Sequence, residues 1–214
     1  AQLQINVYAG LWPGIALTRG LVSTDDDEVA SLSRSLGAEV PFRRPPDLAD
    51  DHAPLGAVMR HAVQWMLDQG WDLDYVACLF ATAPFLTPAI LRDALHRLQA
   101  DPSMQYAFGA ARFPFPIQRA VRILPGGGVE PFTPRCMGMR SQDLEDAYHD
   151  AGQFFWGRPD AILARATIFS PRSIPVVIPS CRVQDIDTPE DWERAEFLHQ
   201  ALHLSESHAS RLPG

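Results

Sequence analysis

From residue 20 to residue 100, short apolar runs alternate with stretches whose apolar positions recur at helical spacing. Leu21-Val22-Ser23 reads as the end of a strand, and Asp25-x-x-Glu28 behind it resembles a helix-start capping arrangement. The acidic residues 25–28 suit the positive end of that helix and Gly37 suits its exit. A short strand is expected over 38–42, followed by a polar loop over 43–51 with two prolines. Val58, Ala62, Trp65 and Met66 share a helical face in the segment 54–69, which Gly70 closes. The continuous apolar run at 75–80 fits a strand covered on both faces. Thr87-Pro88 places proline at a first helical position, and Ile90, Leu91, Ala94, Leu95 and Leu98 form the stripe that follows. This β-α-β-α order predicts an α/β domain with a largely parallel sheet and helices on both faces.

The middle of the chain departs from that pattern. Phe113-Pro114-Phe115-Pro116 cannot be a central strand, because proline donates nothing to the ladder. Residues 119–124 and 129–132 flank Gly126-Gly127-Gly128 and read as a hairpin, so 112–150 is expected to be an arm or a lid. The regular pattern returns with strands near 153–156, 174–178 and 182–186, a helix near 159–165 and a last helix from Pro189. The expected division is an atypical segment 1–20, a domain 21–204 and a polar tail 205–214 that frays.

Hydrophobic residues make up 46% of the 214, enough for a sizeable core. A formal charge of -8 argues against a nucleic-acid partner, since neutralising a phosphate backbone needs clustered cations. It leaves room for a nucleotide held by a few arginines and a metal. Every one of the eighteen basic residues is arginine. Cys78, Cys136 and Cys181 are odd in number and widely spaced, so neither a zinc site nor a disulfide framework is signalled, and a reducing, cytoplasmic setting is expected. No apolar run approaches the length of a membrane span.

The densest chemistry lies at Asp185-Ile186-Asp187-Thr188-Pro189-Glu190-Asp191. In extended backbone the two aspartates point to one side while Ile186 points inward. Thr188 is a natural N-cap, Pro189 a first helical residue, and Asp191 closes the capping box. Two carboxylates at a strand end can serve magnesium, which takes one or two carboxylates together with substrate phosphates. On spacing alone the alternative stands that the pair decorates a turn and caps a helix.

Several separated stretches together resemble the cytidylyltransferases that activate sialic-acid-type sugars: Val22-Ser23-Thr24-Asp25, Arg44-Pro45-x-x-Leu48-Ala49-x-Asp51, Ala81-Thr82-Ala83-Pro84-Phe85-Leu86 and Val183-Gln184-Asp185-Ile186-Asp187-Thr188. Two more are similar to the pseudaminic acid branch: Phe113-Pro114-Phe115-Pro116-Ile117-Gln118-Arg119-Ala120, and the run from Arg140 through Tyr148-His149-Asp150-Ala151-Gly152-Gln153-Phe154 to Gly157. The resemblance implies a Rossmann-like three-layer α/β/α sandwich with a mixed, mostly parallel sheet, usually dimeric through exchanged arms. It implies use of CTP, Mg2+ and a nine-carbon 2-keto sugar acid to make a CMP-sugar and pyrophosphate. Asp185 and Asp187 would hold the metal. Arg44 and Thr82 would meet the nucleotide, with Asp51 ordering their loop. Gln118, Arg119, Gln142, Tyr148, His149 and Gln153 would meet the sugar, Arg119 as partner of its carboxylate.

The family begins with a strand running into a Gly-rich basic loop that cradles the triphosphate, and no motif of that kind falls within residues 1–20. The expectation is a fragment, an altered start or a variant lacking the loop, with a gap in the sheet or a substitute strand from residues 3–9. Pseudaminic acid is the expected sugar. Legionaminic, neuraminic or Kdo acids, or an inactive relic that only binds, are the alternatives.

Overall fold

The computed structural model describes residues 5–7, 19–50 and 53–209. Six strands form its main sheet in the order β2-β1-β3-β7-β4-β8. They are β1 (Ile5–Val7), β2 (Leu21–Ser23), β3 (Val76–Phe80), β4 (Tyr106–Arg112), β7 (Tyr148–Gly157) and β8 (Ser173–Val177). A separate ribbon pairs β5 (Val121–Ile123) with β6 (Val129–Pro131). The sheet is mixed, as expected. β2, β3, β4 and β8 run one way, but β1 and β7 run against them, so the only adjacent parallel pair among the described strands is β4 with β8. Helices on both faces supply the crossovers: α1 (Asp27–Ser35), α2 (Leu55–Asp68), α3 (Pro88–Ala100), α4 (Pro159–Leu163) and α5 (Pro189–Ala209).

Strand alternation makes two cores from one sheet. Val76 and Cys78 of β3 and Phe155 of β7 face Val58, Met59, Ala62, Val63 and Met66 of α2 and Ile162 of α4. Ala77 and Leu79, with Phe154 and Trp156, face Leu91, Ala94 and Leu98 of α3. Phe154 and Trp156 are almost entirely enclosed, each worth about 1.5–3 kcal/mol of apolar burial. The Trp156 indole N–H also donates to the Leu91 carbonyl at 3.0 Å, which ties the strand to α3 without an orphaned donor. Burial pushes the Cys78 thiol far above its ordinary value, so it is inert packing.

Local chemistry sets the element ends, with small departures from the sequence reading. Asp26 rather than Asp25 caps α1, its carboxylate accepting from Val29 N at 2.9 Å. Thr87 caps α3 through Ile90 N at 3.4 Å. The strand expected over 38–42 shrinks to two parallel bridges, Leu21 with Glu39 and Thr24 with Arg43. The strand expected over 182–186 is instead a 3-10 turn, Ser180–Arg182, and an extended segment outside the sheet. β1 occupies the position between β2 and β3 where a first strand belongs, but antiparallel to both. Its start, Ile5, lies level with Ser23 and Phe80, and Val7 lies opposite Leu21. No helix among the described residues is long and apolar enough to cross a membrane.

Candidate active site on the carboxyl edge of the sheet

The ends of β2, β3, β4 and β8 and the start of β7 share one edge, where open α/β sheets gather ligands. At the β2 end, Arg44 is buried: its N–H meets the Thr24 carbonyl at 2.9 Å and its guanidinium reaches the Ser23 carbonyl and hydroxyl. Burial lowers its pKa, while Asp25 opposes the shift. Thr82 stands two residues past β3, in a turn closed by Ala83 N on the Phe80 carbonyl at 3.3 Å. Asp51 lies outside the described residues.

At β7 the strand is distorted. Phe108 pairs with Phe155, yet Ala110 pairs with Asp150, so β7 packs extra residues into a bulge opposite Gly109. Gly152 carries the bend with φ +62. A Cβ there would sit 3.0 Å from Asp185 Oδ2, so the backbone of β7 is the surface against which that carboxylate rests. Asp150 Oδ1 accepts the Gly152 N–H at 3.1 Å and pins the bend. Gln153 is fully buried, and its side-chain N–H donates to the Arg182 carbonyl. The bulge thus holds the 182–185 segment at two points.

The other side of that segment is held by α5. Asp191 Oδ2 accepts from Thr188 N at 3.0 Å, the Thr188 hydroxyl at 2.8 Å and Asp187 N at 3.3 Å, and Thr188 Oγ1 accepts from Asp191 N at 3.2 Å. The Thr188 hydroxyl hydrogen bond is the leading reason the Asp191 carboxyl is held below the usual carboxylate range. Gln184 donates to the Asp185 carbonyl and to Asp191 Oδ1. Asp185 and Asp187 are exposed with Ile186 half-buried between them, and among the described residues neither carboxylate is in an ion pair. Arg44 and Asp185 share the edge but lie against different strands, Arg44 beside the end of β2 and Asp185 against Gly152 of β7.

β4 and β7 continue past the edge and lead into the arm. Phe113 N meets the Ala147 carbonyl at 3.0 Å, and Arg112 pairs with Asp146. Within the arm, Gln118 donates to the Glu145 carbonyl at 2.8 Å and Arg119 to the Ser141 hydroxyl at 3.3 Å. Gln142, with Phe113, Phe115, Val177 and Ser180, lines a cavity of about 590 Å3 between the arm and the end of β8; neither Arg44 nor the two aspartates line it. The His149 ring packs on Phe113 at 4.8 Å, and Tyr148 is exposed. The predicted sugar residues therefore fall into two groups: Gln118, Arg119 and Gln142 in the arm, and Tyr148, His149 and Gln153 along β7. Gln118 Oε1, Arg119 Nε and Gln153 Oε1 are three of the four buried side-chain polar atoms without a partner among the described residues. Such orphans are costly unless a ligand or water completes them.

This arrangement has counterparts. The profile of the cytidylyltransferase family matches residues 15–114. The pseudaminic acid cytidylyltransferase of Campylobacter jejuni subsp. jejuni serotype O:2 is 39% identical over 185 residues, covering 86% of this chain and 79% of its own. The chain belongs to the cytidylyltransferase family. It is a nucleotidyltransferase by that membership. The pseudaminic acid cytidylyltransferase of the O:23/36 serotype is 38% identical over the same share of both chains. In fold, this cytidylyltransferase is similar to a CMP:2-keto-3-deoxy-manno-octonic acid synthetase solved with CTP, at TM-score 0.56 and 17% identity, over 92% of this chain and 84% of that one.

Sequence reasoning missed Asp150 and Gly152 as site residues. The signal was present: an Asp-Ala-Gly-Gln run inside an otherwise apolar strand marks a bulge or a close backbone approach.

Proposed function

We propose that this cytidylyltransferase joins CMP to a nine-carbon 2-keto sugar acid, pseudaminic acid, releasing pyrophosphate from CTP. The observation that carries the choice of sugar is the 39% identity to a pseudaminic acid cytidylyltransferase across 86% of the chain. In the reaction the anomeric hydroxyl oxygen bonds to the α-phosphorus, the bond from that phosphorus to the bridging oxygen breaks, and the hydroxyl proton is lost. Catalysis of this kind rests on position and electrostatics.

Asp185 and Asp187 suit Mg2+: hard oxygen donors, two residues apart and exposed, on a segment whose backbone is held by β7 on one side and α5 on the other. When bound, the ion neutralises phosphate charge and acidifies the attacking hydroxyl. Arg44 and Thr82 take the nucleotide end of the edge. Gln118, Arg119, Gln142, Tyr148, His149 and Gln153 take the sugar, and the three orphaned polar atoms among them support that assignment. The arm carries Phe115, Ile123, Val129 and Phe132 largely exposed, which supports a dimer in which a second copy covers it.

The test is pyrophosphate release from CTP with pseudaminic, legionaminic, neuraminic and Kdo acids. Turnover with pseudaminic acid that falls at least about 100-fold in D185N and D187N supports the reading. Turnover with another acid alone overturns the choice of sugar. A second reading, a protein that binds CTP without turning it over, is favoured by one observation: β1 runs antiparallel, so its carboxyl end points away from the site edge. CTP binding without turnover for any of the four acids would select it.

A further inference from the structure

Asp150 is an acidic residue with no obvious reason to be where it is. It opens the bulge of β7, pairs across to Ala110, and among the described residues meets no arginine. The residue stays accessible as a whole, yet the surroundings of its carboxylate are desolvated enough to raise its pKa. The negative charge of Asp185 adds to the rise, against the Gly152 hydrogen bond and His149.

Its one strong engagement is local. Asp150 Oδ1 holds the Gly152 N–H at 3.1 Å, Gly152 is thereby kept at φ +62, and the face of Gly152 lies against Asp185 Oδ2. We propose that Asp150 is a positioning residue that acts through the Gly152 turn to fix the Asp185 carboxylate for the metal. This inference rests on the proposed role of Asp185 and Asp187. The chain of contacts is short: one hydrogen bond, one glycine and the carboxylate that lies beside it. If the acceptor is lost, the Gly152 peptide is free to rotate, and the wall behind Asp185 moves with it. Groups that orient a ligand residue without touching the metal typically change metal affinity or activity about 10–100-fold when removed.

The hydrogen bond needs an oxygen acceptor, not a charge, so asparagine separates the two. Mn2+ affinity is measured in the presence of CTP by paramagnetic titration, together with the Mg2+ dependence of pyrophosphate release and the melting temperature. D150A is expected to weaken Mn2+ binding and raise the Mg2+ requirement about 10–100-fold, with the KM for the sugar acid little changed. D150N, which keeps the acceptor, is expected to recover most of that loss. Equal impairment in D150A and D150N overturns the proposal, because the charge itself would then be what matters. Wild-type Mn2+ affinity in D150A, with D185A losing it, also overturns the proposal and leaves the metal pair standing. Unaltered Mn2+ binding in D185A overturns the metal pair, and the proposal with it. If D150A does not fold, the comparison of D150N with wild type decides by the same criterion.

Discussion

Replacing Gly152 by alanine probes the contact on which the site depends. Two costs act at once. At φ +62 an L-residue pays about 1–2 kcal/mol relative to glycine. The new methyl would also stand 3.0 Å from Asp185 Oδ2 and 3.4 Å from its Cγ. Asp185 is exposed, so its carboxylate can swing aside at little cost in stability. The melting temperature should therefore fall by only about 2–8 °C for a domain of this size. Activity should suffer far more, since a displacement of about 1 Å at a reacting centre can cost about 100-fold. Gly37 supplies the control. It sits at φ +87, and a methyl added there would meet nothing within 4 Å, so G37A carries the backbone strain without the contact. G37A should lose a similar amount of stability and keep full pyrophosphate release. If G152A retained wild-type kcat and metal dependence, or if G37A lost activity equally, the claim that β7 positions Asp185 would be wrong.

Two other outcomes follow from the fold. Burial holds the pKa of His61 below the ordinary histidine value, with Asp47 opposing and Arg44 adding to the shift. The unfolded chain therefore takes up the proton first, and stability present above the ordinary histidine value is lost as pH falls below it. Melting curves should show H61Q losing less over that window than wild type; parallel losses would refute the assignment. In the arm, Ile123 is 79% and Val129 64% exposed, so I123E with V129E should leave the circular dichroism unchanged and convert a dimer to a monomer in light scattering. A wild-type chain that is already monomeric at tens of micromolar, an order-of-magnitude working range for stable dimers, would remove the second copy as the arm's occupant.

Most of the layering was legible because it rests on local rules. The helical stripes at 58–66 and 90–98 do face the sheet, and the hairpin around Gly126-Gly127-Gly128 forms with Gly127 at φ +80. Strand direction was not legible. β7 is as apolar at 154–156 as any parallel strand, because helices cover both its faces, so periodicity carries no sign of its reversed course. The segment 182–186 alternates like a strand, but the Arg182 and Val183 N–H groups donate to the Pro179 and Ser180 carbonyls, and the Arg182 and Asp185 carbonyls accept from the Gln153 and Gln184 side chains, instead of forming a ladder. At the site, the Thr188–Asp191 box was readable from four residues. The contact of Gly152 with Asp185 was not, since it joins positions 33 apart through a bulge that only the pairing with β4 defines.

The distortion in β7 has a consequence for how this enzyme can change over time. Within one strand, Gly152 and Gln153 meet the 182–185 segment while Ala151 and residues 154–156 pack in the two cores. Because the bulge breaks the ladder opposite Gly109, substitutions at the exposed start of the strand need not propagate into the folded interior. New side chains can thus be explored at the exposed Tyr148 while the scaffold stays intact, a separation that regular pleating would not have allowed.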